Sequence, residues 1–541
     1  MRRASCAVAL VTACMTVLPG LVPPASAASA ASGTSTNKQA GKVSAQPIPP
    51  GATVLTPPQV PGSPALPGPV LDPPTPAPNI GILSVSPDQG PVGTPITVTG
   101  AHLRAHTTVE ITWSTAETSW MVQAKPDTVN YLGRYSKPVT TVIGSASTDG
   151  QGRLSFQTKA PLDFGGIHDI YAVAGNTDLA HGGFLTTRTV TVSPTSGPIG
   201  TPITITYTGL GASLYTGGAS LLYDNHYAGE LMANWTRGVA QAVIRASGPV
   251  GRHTIQIGNA ISYLYLNVPQ SPIPYTNGAA VTFTVTKDSG PPAASLSWPA
   301  DVVPTSSSRT TLTKAGLATT SSVKASLSAS RGQVGSRISL DATGLTSSAP
   351  VELSWSTVVG NRVDCASTCW AFASSPVGTA APSNGSLQTH LTVPDGLGGW
   401  HVVQLSQSGK VLAQLPFYTE ESIVGQGVSS IVVKEGQSFT VHLKGVGWTQ
   451  LDNTVGVDYD NSYVGYGCGF NSNGDVLVHL YATGGPGTHL IDMYPMLYSL
   501  SPSFSSTPYG MVPVLTYAHD DPGLALGYRL PSLHFAITVV K

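Results

Sequence analysis

Ser86-Pro87-Asp88-Gln89-Gly90-Pro91-Val92-Gly93-Thr94-Pro95-Ile96-Thr97-Val98-Thr99-Gly100 returns as Ser193-Pro194-Thr195-Ser196-Gly197-Pro198-Ile199-Gly200-Thr201-Pro202-Ile203-Thr204-Ile205-Thr206. Proline fixes φ at the bend, and glycine takes the positive φ that other residues resist. The Ile or Val alternating with Thr that follows suits a strand with one buried face. A weaker copy runs from Ser328 to Gly335, and the faintest begins near Val433, reduced to Gly436 and Gly445-Val446-Gly447.

Outward from these openings, period-two segments continue. Val109-Glu110-Ile111-Thr112-Trp113-Ser114-Thr115 matches Val351-Glu352-Leu353-Ser354-Trp355-Ser356-Thr357, and Tyr223-Asp224-Asn225-His226-Tyr227 matches Tyr459-Asp460-Asn461-Ser462-Tyr463. A Gly-rich turn follows at the same offset, with Gly251 answering Gly487 and His253 answering His489. No 12-residue stretch carries a 3.6-residue stripe. The expected fold class is all-β: tandem immunoglobulin-like β-sandwich domains in a duplicated A-B-A-B arrangement, spanning 80–190, 191–288, 323–428 and 429–541.

The chain has 541 residues, too many for one core, and only 10% are charged. A net charge of -1 gives no field to draw nucleic acid or anionic lipid. Residues 1–27 read as a signal peptide: Arg2 and Arg3, an apolar run, then Ala25-Ser26-Ala27 as a cleavage site. Val11-Thr12-Ala13-Cys14 resembles a lipobox, and lipidation of Cys14 would tether the chain to a membrane. No later apolar run is long enough to span a bilayer, so no transmembrane span is expected in the mature chain. Residues 28–79 read as a Pro/Ser/Ala-rich stalk and 289–322 as a Pro/Ser-rich linker. A linker of about 30 residues allows bending between the halves. The stretch Ser499 to Gly527 alternates poorly and reads as a long loop or decoration.

The repeated opening resembles the IPT/TIG family of immunoglobulin-like domains. The resemblance is clear at 86–103 and 193–210, partial at 328–345 and weak at 433–447. It implies small sandwiches used as spacers or binding modules in surface receptors, adhesins, transcription factors and polysaccharide-active enzymes. It carries over no catalytic residue. The antibody-type Cys-Trp-Cys core is absent, because Trp113 and Trp355 lack flanking cysteines.

Candidate binding residues are Asp224, Asn225, Tyr227, Asp460, Asn461 and Tyr463. Their oxygens suit a ligand-contact loop or a partial calcium site, and equally an Asx-turn closing a hairpin. Outside the leader, Cys365 and Cys369 are close enough in sequence to form a disulfide, and Cys468 is left over. No zinc spacing is present, so no metal or cofactor is expected. The last domain is rich in rings, including Trp448, Tyr459, Tyr466, Tyr481 and Tyr494, which a sugar face, a protein interface or plain packing would all use. No nucleophile elbow, zinc-protease helix or phosphate loop appears, so the chain reads as non-enzymatic. The expectation is a secreted or cell-surface (bacterial) scaffold or adhesin-like binder. Its partner would be a cell-wall or extracellular polysaccharide or a protein, including a copy of itself, and not nucleic acid. A carbohydrate-binding accessory protein and a self-assembling surface-layer or filament protein stay open beside it.

Overall fold

The computed structural model describes residues 47–59, 64–125, 128–212, 218–258, 279–299, 322–360, 370–425, 431–449, 451–469, 472–499, 510–515 and 520–541. It is almost entirely β-strand, organised as several discrete sheets. The leader, Cys14, Cys365 and Cys369 lie outside the described residues.

One sheet arrangement occurs three times, and in the first unit Thr75–Ser86 joins the corresponding strands into one ten-stranded sheet. A three-stranded sheet shares a buried core with a larger one, as Pro202–Thr208 between Thr189–Ser193 and Val239–Arg245 faces Ala279–Val285, Gly251–Ile257, Gly218–Tyr223 and His226–Met232. The bend quoted first lets the chain cross between sheets. Before its last glycine, a short strand runs parallel to the last long strand of its own unit: Gln89–Gly90, Ser196–Gly197, Arg331–Gln333 and Ile431–Lys434 all do so. The glycine that ends each bend has positive φ (Gly93 82°, Gly200 86°, Gly335 82°, Gly436 79°). Its N–H donates to the carbonyl of Ala160, Ala246, Val393 or Ala482 at 2.8–2.9 Å. The weakest sequence copy thus keeps the same backbone clamp as the strongest.

Four separate cores fill these sheet pairs, around Trp113, Tyr207, Trp355 and Val441. Consecutive units are joined closely. Gly165 N–H donates to Leu210 O at 2.8 Å, and Gly398 N–H donates to Val446 O at 3.1 Å. At both places a β-carbon would fall 1.8 Å from the neighbouring unit's carbonyl oxygen, Gly209 O or Gly445 O. Glycine is therefore required by the approach of two backbones.

A fifth core holds the units together. It gathers Leu55, Trp120, Val122 and Tyr131, Met232 and Trp235, Trp400 and Tyr418, and Leu451, Val514, Leu524 and Tyr528. Trp120 and Tyr131 lie on a long hairpin, Thr108–Lys125 with Thr128–Ser147, that extends out of the first unit. The stretch expected as decoration supplies Gly510–Pro513 and a helix, Pro522–Leu526, capped by Asp521 and stopped by Gly527. Every residue of that helix is buried.

The connecting segments are partly docked, and one expectation is corrected. The stalk does not stand free: Thr53–Val54 and Val70–Leu71 pair with the long hairpin, and Leu55 is 2% exposed in the central core. Proline-rich chain suits such sheet edges, where a missing N–H is harmless. The linker between halves begins docked, with Ser295–Ser297 paired to Ser532–His534 and Asp288 holding Thr488 N at 2.8 Å. Bending about it would break the fifth core. Finally, no cysteine pair lies at disulfide distance. Cys468, the one cysteine among the described residues, is an exposed free thiol. Each unit already encloses an apolar core and needs no covalent staple.

Candidate functional site

The two Tyr-Asp-Asn elements close hairpins. Asp224 (φ 49°) and Asn225 (φ 68°) turn Gly218–Tyr223 into His226–Met232, and Asp460 (49°) and Asn461 (60°) do the same in the fourth unit. Two positive φ values in a two-residue loop define a turn that favours Asn and Asp. Each aspartate is then used internally. Asp224 accepts Thr254 N at 2.8 Å and binds His253 Nδ1 at 2.6 Å; Asp460 accepts Leu490 N at 2.9 Å and binds His489 Nδ1 at 2.6 Å. The other ring nitrogen of each histidine meets a carbonyl, Pro249 O or Gly485 O. Burial alone would lower the His489 pKa, but the Asp460 carboxylate outweighs it and raises it.

A related device, with an aromatic stack and a carbonyl but no carboxylate hydrogen bond, occurs in the other two units, where the sequence alone did not show it. His168 stacks on Trp113 at 4.2 Å and binds Phe164 O; His401 stacks on Trp355 at 4.9 Å and donates to Leu397 O. Burial pushes His401 down to about 4. In all four cases the carbonyl lies four residues before the histidine. That spacing, with an aromatic residue on the facing strand, was the available signal.

The two hairpins also meet. Tyr227 and Tyr463 pack edge to face at 6.1 Å. Asn461 Nδ2 donates to Arg245 O at 2.8 Å and Ser247 Oγ at 2.7 Å. Arg245 Nε donates to Asp492 Oδ1 at 2.7 Å, and His534 Nδ1 binds the same oxygen. Burial would raise Asp492, but Arg245 and His534 outweigh it and hold it low. Asp458 is raised well above the usual range by burial and then by the charge of Asp492. Of the six expected site residues, Asn225 is exposed; the others are half-buried or buried in clamps and in the contact between second and fourth units. The rings of the last unit are mostly spent on packing, with Tyr466 and Tyr481 left exposed among the described ones. No group of three or more His, Cys, Asp or Glu among the described residues could hold a metal.

An open groove of about 1240 Å³ lies elsewhere, at one end of the first unit. Its floor is the strand Thr75–Ser86 where it passes from one sheet to the other. Ser84, Thr99 and Ser155 stand opposite one another across three strands and give it a row of hydroxyls. Ile80 and Ile82 are exposed beside them, Ile82 at 80%. The rim carries His102, Arg104, Asp149 and Arg153. Asp149 is occupied: its Oδ1 accepts Gln151 N and Arg153 N, both at 2.8 Å, and these bonds, led by the one from Arg153, hold its pKa low. Neither Arg104 nor Arg153 forms an ion pair among the described residues. Two arginines in turns of a chain so poor in charge were the sequence signal for this groove.

No family model matches the chain, and no curated protein does. Among solved structures, it aligns with an ICAM-5 D1–D4 ectodomain fragment at 13% identity, covering 77% of this chain and 95% of that one, TM-score 0.17. A Bacteroides ovatus surface protein, SGBP-B of a mixed-linkage glucan utilization locus in complex with a mixed-linkage heptasaccharide, aligns at 8% identity over 65% and 70%, TM-score 0.15. A mouse coronavirus receptor-binding domain complexed with its murine receptor aligns at 13% over 38% and 99%, TM-score 0.13. Superpositions at this level do not define a common fold. No helix among the described residues is long and apolar enough to cross a membrane.

Proposed function

We propose that this chain is a non-catalytic extracellular binding scaffold: four immunoglobulin-like sandwiches of the IPT/TIG kind, duplicated as A-B-A-B and exported by the leader at 1–27. The observation that carries the reading is the fifth core, which ties elements from all four units into one body. A stiff body suits holding a binding surface away from an anchor, and it loses little freedom when the surface is occupied. His253 and His489, matched after the Gly-rich turns, have both ring nitrogens bonded within their own units. Supporting an extracellular setting are the A-x-A leader and the low charge, which suits a wall or layer.

The test is co-sedimentation of the purified mature protein with insoluble cell-wall material, beside size-exclusion chromatography of the free protein. Retention on the wall with a monomeric free form is the expected result. A protein that stays in the supernatant and elutes as an ordered polymer would replace this reading with self-assembly.

A further inference from the structure

We infer that the groove of the first unit binds an anionic glycan; this rests on the extracellular binding reading. The groove is larger than the ~300–1,000 Å³ of a small-molecule pocket and is open, so it suits a segment of polymer. Its hydroxyl row, Ser84, Thr99 and Ser155, can exchange hydrogen bonds with sugar hydroxyls. No Trp, Tyr or Phe ring lines it, so the broad ring stacking that usually holds a neutral sugar is missing. Charge takes its place. Arg104 and Arg153 face the groove without an ion-pair partner, and the nearby carboxylate, Asp149, is turned onto backbone N–H groups. A guanidinium presents a planar fork that matches carboxylate and phosphate oxygens alike. Ile80 and Ile82 give the sugar's apolar face somewhere to rest.

Position supports the assignment. The groove includes Ser147, Thr148 and Asp149 at the base of the long hairpin, which carries Trp120, Val122 and Tyr131 into the central core at its far part. From Thr108 to Trp120 an extended strand covers on the order of 40 Å. The groove is therefore at the end of the hairpin away from the core.

The full mature chain would be titrated with three soluble probes in low salt: a polyuronate, a poly(glycerol phosphate) and dextran. Binding to one or both acidic polymers, weakened by salt, is expected, and the two acidic arms tell carboxylate from phosphate. Arg104→Ala with Arg153→Ala should weaken it at least tenfold, and Ser155→Glu should do the same by placing a like charge in the groove. All these positions are on the surface, and an unchanged melting temperature shows that the variants fold. Equal binding of dextran, or acidic-polymer binding that survives both variants, overturns the assignment. Cell-wall retention that ignores Arg104 and Arg153 sinks this inference and leaves the binding scaffold standing; loss of wall retention in the parent protein sinks the scaffold reading itself.

Discussion

Asp452 carries one oxygen that is well served and one that is not. Thr449 N–H donates to its Oδ1 at 2.6 Å, while Oδ2 is buried without a hydrogen-bond partner. Burial pushes its carboxyl to about 7, and buried Glu421 nearby is also raised. The unfolded group ionises near 3.8. Between those values the native state keeps a proton that the unfolded chain has lost, so stability falls as pH rises and levels off above about 7. The full effect is on the order of 4 kcal/mol. Asp520, also raised to about 7 by burial, acts in the same direction. Thermal unfolding from pH 4 to pH 8 should show this decline, and Asp452→Asn should flatten part of it by putting an uncharged amide in place. An unchanged slope in the variant would assign the decline elsewhere. A second comparison separates the twin hairpins. Glycine fits the positive φ of both Asn225 and Asn461, so Asn225→Gly should be nearly neutral. Asn461→Gly strips partners from Arg245 O and Ser247 Oγ and should cost about 1–3 kcal/mol in denaturant unfolding. Equal losses would mean that Asn461 does not tie the halves together.

At the scale of elements, two kinds of glycine are distinguished by what a methyl would meet. At Gly93 an added β-carbon touches nothing within 4 Å, so Gly93→Ala should cost only the left-handed strain, about 1–2 kcal/mol. At Gly165 and Gly398 it would overlap a carbonyl of the next unit, so alanine there should cost about 3 kcal/mol or more and loosen the joint. Limited proteolysis near Thr208 and near Gly445 would read the loosening directly, and resistance equal to the parent would show that the joints yield without strain. The strands themselves were legible because alternation writes the buried face into a few neighbouring residues, as in Val109 to Thr115. The bends were legible because proline and glycine have few other reasons to recur in register. Even the faint fourth copy kept Gly436, the residue the clamp needs. The histidine clamps were half legible: His253 and His489 stood out beside matched turns, whereas His168 and His401 did not. The binding residues proposed from the hairpins were ambiguous for a physical reason, since a turn that needs Asp and Asn for its φ values looks like a loop that needs them for a ligand.

Across the whole molecule, the least legible feature is the one that sets its shape. The fifth core joins Leu55, from a proline-rich stretch, to Leu524, from a stretch with poor alternation, and no local period marks either residue. Contacts over such separations leave no spacing signal; they are visible only as apolar residues in unlikely places. The consequence is cooperative. Trp120 is fully buried, edge-on to Trp235 at 6.4 Å and tilted against Tyr131 at 5.6 Å. Trp120→Ala should remove about 3–5 kcal/mol from this core while leaving the other four cores intact. In calorimetry the parent chain should melt in one main transition, because the units share buried surface. The variant should split into two or more transitions, and small-angle scattering should show a larger radius of gyration as the halves part. A variant that keeps a single transition, merely shifted to lower temperature, would mean that the contact of the second and fourth units through Arg245, Asp492 and Asn461 suffices to hold the body together.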